Sequence, residues 1–164
     1  MPDHIALHQP SISGNEWRYV KDCLDTGWVS SAGKYVEKFE EAISIYTGSP
    51  FAVSCINGSA ALQLSLKLAG VTQGDEVLVP TITFIASVNA IHHNGASPVF
   101  IDADNFHNLD VRKSIEFIRT KTTFDGSYSI NRKSGRRVAA VVPVHVFGNA
   151  VWLDELVPLC QERN

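Results

Sequence analysis

From residue 51 onward, short continuous apolar runs alternate with segments of helical period, and this alternation limits the fold more than any other feature. The apolar runs predict strands and are FAVSCI (51–56), GDEVLVP (74–80), SPVFIDAD (97–104) and VAAVVPVH (138–145). The segments that predict helices are residues 60–70, 83–95, 110–121 and 151–163. Strands that are joined by helices form parallel sheets with both faces covered. The sequence therefore predicts an α/β fold with a mainly parallel sheet and covering helices.

The first 49 residues differ from this pattern and predict a helical N-terminal arm, which leaves residues 50–164 for the α/β domain. Residues 14–25 carry apolar side chains at helical spacing after Ser13, which can cap a helix, and residues 35–46 repeat the spacing. We expect the apolar positions of both helices to face inward. These positions are Trp17, Val20 and Leu24 in the first helix and Val36, Phe39, Ile43 and Tyr46 in the second.

The composition of the 164 residues, 45% hydrophobic and 19% charged, is typical of a packed domain. The net charge of -3 provides no broad positive field, so nucleic acid and anionic lipid are not expected partners. No apolar run approaches the ~18–20 residues that span a bilayer, and the first ten residues lack signal-peptide features, so we expect no membrane association and a cytoplasmic protein. The three cysteines, Cys23, Cys55 and Cys160, are odd in number and far apart, which predicts buried thiols and no metal site.

The polar stretch between residues 122 and 137 has two interpretations. Its content of Gly, Ser and Arg is typical of a surface hairpin or excursion, which is the interpretation we favour. The alternative is a basic loop that binds an anion. Its side chains would be Arg132, Lys133, Arg136 and Arg137.

Ligands of parallel α/β sheets bind at the carboxyl ends of the strands, so the loops that follow the predicted strands are the candidate site. The small residues at 57–61 suit either the approach of a phosphate or an ordinary turn that caps a helix, and the turn is commoner. Phe84, after the second strand, is either core or a ring that stacks on a flat cofactor. His145, at the end of the fourth strand, is either a hydrogen-bonded structural residue or a catalyst.

Several motifs in the same order resemble the large domain of fold-type I, PLP-dependent enzymes, specifically the DegT/DnrJ-type sugar aminotransferases. They are NGSAALQLSLKLAGV (57–71), GDEVLVPTITFIASVNAI (74–91), PVFIDAD (98–104) and PVHVFG (143–148). The N-terminal run GNEWRYVKDCLDTGWVSSAGKYVEKFEEAI (14–43) is similar to the opening of the same family. The resemblance therefore covers nearly the whole chain.

The resemblance implies a site for pyridoxal 5'-phosphate (PLP). By the family's pattern, the cofactor phosphate binds to backbone amides of Gly58, Ser59 and Ala60, and Phe84 stacks on the pyridine ring. The loop at 27–31 is implied to lie near the sugar substrate. Its candidate substrate-binding residues are Gly27, Trp28, Val29 and Ser30.

The family's chemistry needs a lysine that forms a Schiff base with PLP and an aspartate beside the pyridine nitrogen. None of the seven lysines lies in a strand-end loop that matches the family's position, so we assign no catalytic residue. We expect the N-terminal part of an aminotransferase with an incomplete PLP-binding domain, inactive by itself. The rival interpretations are a sugar dehydratase of the same fold, in which His replaces the lysine, and a catalytically silent, truncated interaction domain.

The resemblance also implies the substrates and the assembly of the full-length protein. An amino group would pass from an amino-acid donor, glutamate, to a nucleotide-linked 4-keto-6-deoxy sugar, with UDP favoured, and the full-length protein would be a homodimer. Fold-type I sheets place three further strands between the first and fourth strands predicted here. Without those strands we expect a chain that is not a well-behaved monomer. The side chains expected to be exposed are Val53, Val77, Val79 and Val141.

Overall fold

The computed structural model describes residues 9–164, which divide into two compact units. The first unit ends at Ser54 and the second comprises Cys55–Asn164. The boundary predicted from the sequence, between residues 49 and 50, falls within the first of these units.

The first unit contains the two helices that the apolar spacing predicts, α1 (Glu16–Thr26) and α2 (Lys34–Thr47). Each ends at a glycine in the left-handed region, Gly27 and Gly48, where the absence of a Cβ makes this backbone conformation accessible. Asn15, rather than Ser13, occupies the N-cap position of α1, and it forms no side-chain cap bond.

The apolar side chains of this unit are not enclosed as a core, because neither helix buries a residue. Trp17 is 72% exposed and Tyr46 is 89% exposed, and of the predicted positions only Val36 is partly buried. The apolar stripe is therefore present in the sequence without a surface that covers it. Two short helices alone provide too little opposing area to enclose such side chains.

The second unit is built on a five-stranded mixed sheet of order β2-β1-β5-β4-β3. Strands β1 and β5 are parallel, as are β1 and β2, whereas β5, β4 and β3 are joined by antiparallel pairing. The strands are β1 (Glu76–Pro80), β2 (Ser97–Ile101), β3 (Thr122–Phe124), β4 (Ser129–Asn131) and β5 (Arg137–Val141). The α/β class is thus as predicted, with an antiparallel extension that the apolar runs did not predict.

Four α-helices pack on this sheet at the predicted helical segments; α3 is shifted by two residues toward the N-terminus and the other three are shorter than predicted. They are α3 (Gly58–Leu68), α4 (Ile85–His93), α5 (Val111–Glu116) and α6 (Leu156–Arg163). A π-helical turn over Phe117–Lys121 continues α5, and a short 3-10 helix over Val146–Gly148 precedes α6.

The segment 51–56, predicted as the first strand, does not pair with another strand in the described part of the chain. Val53 is 77% exposed and Ile56 is 92% exposed. An isolated extended segment cannot form ladder hydrogen bonds, and apolar composition by itself does not supply a partner. Within the first unit, the backbone N–H and hydroxyl of Ser54 instead donate to a carboxylate oxygen of Glu40, at 2.7 and 2.9 Å, and these bonds lower the pKa of Glu40.

The core of the second unit lies on both faces of the sheet, and β1 contributes to both. Val77 and Val79 pack in one cluster with residues of α3 and α4, and Leu78 packs in the other with residues of α6. Val77 and Val79 are fully buried, so the expectation that they would be exposed is wrong. Val141 is partly buried. The helices α3, α4 and α6 cover these side chains without any additional strand.

The polar stretch forms the hairpin of β3 and β4, which confirms the favoured interpretation. Of the basic side chains in the alternative, Arg136 donates to the Ser97 hydroxyl at 2.9 Å and Arg137 binds Asp75. Arg137 is thus held by an internal ion pair, whereas Arg136 forms one internal hydrogen bond and remains exposed.

The cysteines are free thiols, but they are not buried as predicted. Cys55 is exposed, and Cys23 and Cys160 are only partly buried. Partial burial raises the pKa of the Cys160 thiol, which keeps it protonated at neutral pH.

Candidate ligand site at the carboxyl edge of the sheet

The N-terminus of α3 is one component of the candidate site. Asn57 is the N-cap, and its side-chain Oδ1 accepts a hydrogen bond from the backbone N–H of Ala60 at 2.9 Å. The backbone amides of Gly58 and Ser59 have no protein acceptor among the described residues. Because a helix N-terminus concentrates free N–H groups and positive dipole, these two amides suit a phosphate. Ala60, the third predicted contact, differs because its backbone N–H already donates to the Asn57 side chain.

Phe84 is the second component, and the structure excludes its interpretation as core. The residue occupies the N-cap position of α4, separated from the end of β1 by residues 81–83, and it is 76% exposed. Its backbone carbonyl accepts from Ser87 N–H at 3.0 Å, and the hydroxyl groups of Thr83 and Ser87 lie 3.1 Å apart. The first turn of α4 therefore fixes the backbone at Phe84 while the ring remains accessible to a flat ligand.

His145 is the third component, at the end of the apolar run that contains β5. Its ring Nδ1 accepts a hydrogen bond from the backbone N–H of Val151 at 3.0 Å. This bond agrees with the interpretation of His145 as a hydrogen-bonded residue. The same bond leaves Nε2 accessible, because the side chain is exposed and Nε2 has no partner among the described residues.

Chain direction brings these three components to one edge of the sheet. α3 leads into the start of β1 and α4 follows its end, so both helices begin at the carboxyl edge of β1. β5 is the parallel neighbour of β1, with Val142 N–H donating to Leu78 O at 2.8 Å. The free amides, the exposed ring and the imidazole thus lie where ligands of α/β sheets bind.

Asn108 belongs to the same edge and was not identified from the sequence. It is 1% exposed, and its side chain accepts from Val146 N–H at 3.0 Å and donates to Ala150 O at 3.3 Å. A single Asn in a polar loop carries no periodic signal that distinguishes it from a surface residue. Only the fold shows that it bridges two loops.

The predicted substrate loop, residues 27–31, lies in the first unit. Gly27 adopts a φ of 73° and accepts from Val29 N–H at 3.2 Å, which forms a tight turn. Trp28 and Val29 are exposed, and Ser30 accepts from Ala32 N–H at 3.4 Å. Val29 also lines an apolar cavity of about 550 Å³ between α1 and α2. The loop is thus ordered by local backbone bonds and presents two large apolar side chains.

Lys113 is a lysine whose ammonium group lies near this edge, and its environment favours the charged form. Its Nζ forms an ion pair with Asp102, just after β2, at 2.7 Å, and this hydrogen bond raises the pKa of Lys113. A lysine that attacks a carbonyl must be neutral, so this pairing opposes nucleophilic chemistry.

Residues 9–164 lack two further features. They contain no group of three or more His, Cys, Asp or Glu side chains that is arranged to hold a metal ion. Over the same range, no helix has both the length and the apolar character needed to cross a bilayer.

Comparison with known proteins gives consistent matches over most of the chain. Residues 10–164 match the DegT/DnrJ/EryC1/StrS aminotransferase family. GDP-perosamine synthase from Escherichia coli O157:H7 is 38% identical over 162 residues, which are 98% of this chain and 40% of that protein. GDP-perosamine synthase from Vibrio cholerae is 40% identical over 159 residues, which are 97% of this chain and 39% of that protein.

A solved structure extends the comparison to the fold. A proposed sugar aminotransferase from Streptococcus pneumoniae, in its PLP form, is 28% identical and has a TM-score of 0.73. The match covers 94% of this chain and 36% of that one. This likeness confirms the predicted architecture, part of a fold-type I aminotransferase domain. The chain spans about two fifths of the length of the curated relatives it matches.

Proposed function

Because the chain belongs to the DegT/DnrJ/EryC1/StrS aminotransferase family, whose members are PLP-dependent enzymes, we propose that it supplies the phosphate- and ring-binding part of a nucleotide-sugar aminotransferase. The observation that carries the proposal is the pairing of two features at one sheet edge. These are the open N-terminus of α3 and the exposed ring of Phe84.

The residues at this edge fit PLP. Gly58 and Ser59 offer free backbone N–H groups, and the Ser59 hydroxyl offers a further donor for the phosphate oxygens. Phe84 offers an exposed face to a flat aromatic ring. When bound, PLP supplies the electron sink that amino-group transfer requires. The contribution of these residues is to hold the phosphate and to restrict the ring to one plane.

The proposed substrates are an amino-acid donor, glutamate, and a nucleotide-linked 4-keto-6-deoxy sugar. UDP is the nucleotide predicted from the sequence, whereas two of the relatives are named for a GDP-linked sugar. Both nucleotides therefore belong in any substrate test. We assign the sugar to the loop residues Gly27, Trp28, Val29 and Ser30, and we propose a homodimer in the cytoplasm.

We also propose that the residues present here do not complete the catalytic centre by themselves. Lys113 is held in an ion pair, and Lys67 lies in the last turn of α3, at the opposite end from the free amides. A neutral lysine amine at the carboxyl edge is thus not provided by either residue.

The proposal is tested by the affinity for PLP of a Phe84→Ala variant. Loss of the stacking contact, worth ~0.5–1.5 kcal/mol beyond buried area, should weaken PLP affinity about two- to ten-fold in a calorimetric titration. Phe100→Ala is the matched control, because Phe100 is an exposed ring on β2 outside the three components of the site. Equal PLP affinity in the wild type and the Phe84 variant would show that this ring does not contact the cofactor.

A further inference from the structure

The turn after β5 depends on a residue that is distant in sequence. Phe147 has a φ of 54° and Gly148 a φ of 81°, so two consecutive residues occupy the left-handed region. A non-glycine residue in this region is disfavoured unless its surroundings hold it there. The side chain of Asn108 satisfies backbone groups on both sides of the turn, at Val146 and Ala150.

Because Asn108 is buried, the loss of its hydrogen bonds would be costly. Asn108 is enclosed beside the core residue Leu109, where an unpaired amide group would be costly. Both ends of its amide are used on the 145–151 loop, so loss of the loop conformation would leave the donor and the acceptor unsatisfied. Asn108 and the loop therefore stabilise one another in one arrangement.

This loop conformation determines which ring nitrogen of His145 carries the proton. The backbone N–H of Val151 donates to Nδ1, so in the neutral ring the proton resides on Nε2. The imidazole therefore presents an N–H donor from an exposed position at the carboxyl edge of β5. An N–H donor in this position is suited to an oxygen acceptor, and it is strongest toward an anionic one.

Resting on the proposed function, we propose that Asn108 is a positioning residue that holds His145 as an Nε2–H donor to an anionic oxygen of the ligand bound beside Phe84. The oxygen belongs either to the pyridine ring system of the cofactor or to the phosphates of the nucleotide sugar. The role differs from that of a merely structural asparagine, because it predicts a specific tautomer and a ligand contact.

Long-range proton–nitrogen NMR of the whole chain, at about pH 8.5 where imidazole is ordinarily neutral, reports which ring nitrogen of His145 carries the proton. The expected result is protonated Nε2 and unprotonated Nδ1, with both tautomers populated in Asn108→Ala. Asn131→Ala is the matched control, because Asn131 is also buried and bonded at both ends of its amide, to Glu76 and to Lys133 N–H. It should leave the His145 tautomer unchanged. A protonated Nδ1 in the wild type would overturn the proposal, as would an equal response in the two variants.

A second variant keeps the test decisive if Asn108→Ala does not fold. His145→Asn retains a short side-chain acceptor for Val151 N–H and removes the Nε2 donor. Pyridoxine 5'-phosphate, which cannot form a Schiff base, and GDP or UDP are the probes. The variant should bind one class of probe at least about ten-fold more weakly than the wild type, and the class affected identifies the source of the oxygen.

The two proposals fail differently. If pyridoxine phosphate shifts the Phe84 resonances while neither probe class changes affinity in His145→Asn, the role of His145 is wrong and the proposed function stands. If pyridoxine phosphate does not bind the wild type at all, the proposed function is wrong, and the tautomer comparison still decides whether Asn108 positions His145.

Discussion

Arg137, at the start of β5, and Asp75, just before β1, form an ion pair that joins the N-terminal ends of two parallel strands. The guanidinium donates to both carboxylate oxygens, Nε to Oδ1 at 3.0 Å and Nη2 to Oδ2 at 2.5 Å, and also to Gly70 O. Thr72 adds its backbone N–H and its hydroxyl. Burial by itself would raise the pKa of Asp75, but the bonds from Arg137 and Thr72 outweigh it and lower the pKa below its ordinary value of 3.8.

Replacing Arg137 with Met should lower the free energy of unfolding by about 1–3 kcal/mol at neutral pH, because the carboxylate keeps its burial and loses its cation. A depressed carboxyl pKa contributes stability that is fully present above pH 3.8 and is lost as pH falls through the lower folded-state pKa. The difference between wild type and Arg137→Met should therefore shrink below pH 3.8. Urea denaturation at several pH values measures it.

Arg136→Met is the control for this prediction. Arg136 is exposed and its guanidinium makes one bond, to the Ser97 hydroxyl, so its replacement should change the stability by about 0.5 kcal/mol or less. Equal losses in the two variants, or a loss in Arg137→Met that does not depend on pH, would contradict the proposed role of the ion pair.

At the scale of elements, periodicity predicts an element well where its partners are close in the chain. α3, β1, α4 and β2 follow one another and pack together, and each was predicted from apolar spacing. Segment 51–56 has equally apolar composition but pairs with no strand among residues 9–164, so the same signal predicted a strand that is not formed there. The segment 122–137 was predicted as a surface hairpin or excursion without strand bounds, because its strands of three residues each are too short for an alternating pattern.

The same limit applies to the candidate site. Phe84 was proposed as a site residue from motif order, but its exposure was not predicted, because spacing cannot separate a core ring from a surface ring. The backbone N–H of Ala60 was assigned to a phosphate, although it donates to the side chain of Asn57. The residues at 57–61 suit both a capped helix end and a phosphate site, so the sequence does not distinguish the two. Asn108 could be identified only from the fold, because its two hydrogen-bond partners lie 38 and 42 residues away in the sequence.

The Asn57 cap leads to a prediction about α3. Asn57→Ala removes the bond to Ala60 N–H and should lower the free energy of unfolding by about 1 kcal/mol. Asn57→Asp keeps a side-chain acceptor and adds a negative charge at the helix N-terminus, so it should remain close to the wild type. Hydrogen exchange of the Ala60 amide, with urea denaturation of both variants, tests this. Similar stability in both variants would show that the cap bond contributes little.

The described residues include large exposed apolar side chains in both units. In the first unit, Val20, Leu24 and Phe39 line the apolar cavity of about 550 Å³ and are each exposed. In the second, β5 and α6 line an apolar cavity of about 290 Å³. Contiguous exposed apolar patches of this kind mark surfaces that associate with another surface.

We therefore expect the chain to self-associate with increasing concentration, as measured by size-exclusion chromatography with light scattering. Replacing Leu24 and Phe39 together with Lys should reduce the association, because two charges would then lie in the apolar cavity of the first unit. Ile45→Lys is the control, since Ile45 is exposed on α2 outside the residues that line this cavity, and it should change the association little. A compact wild-type monomer with a sharp two-state thermal transition would show instead that the two core clusters around β1 suffice and that the exposed apolar residues need no partner.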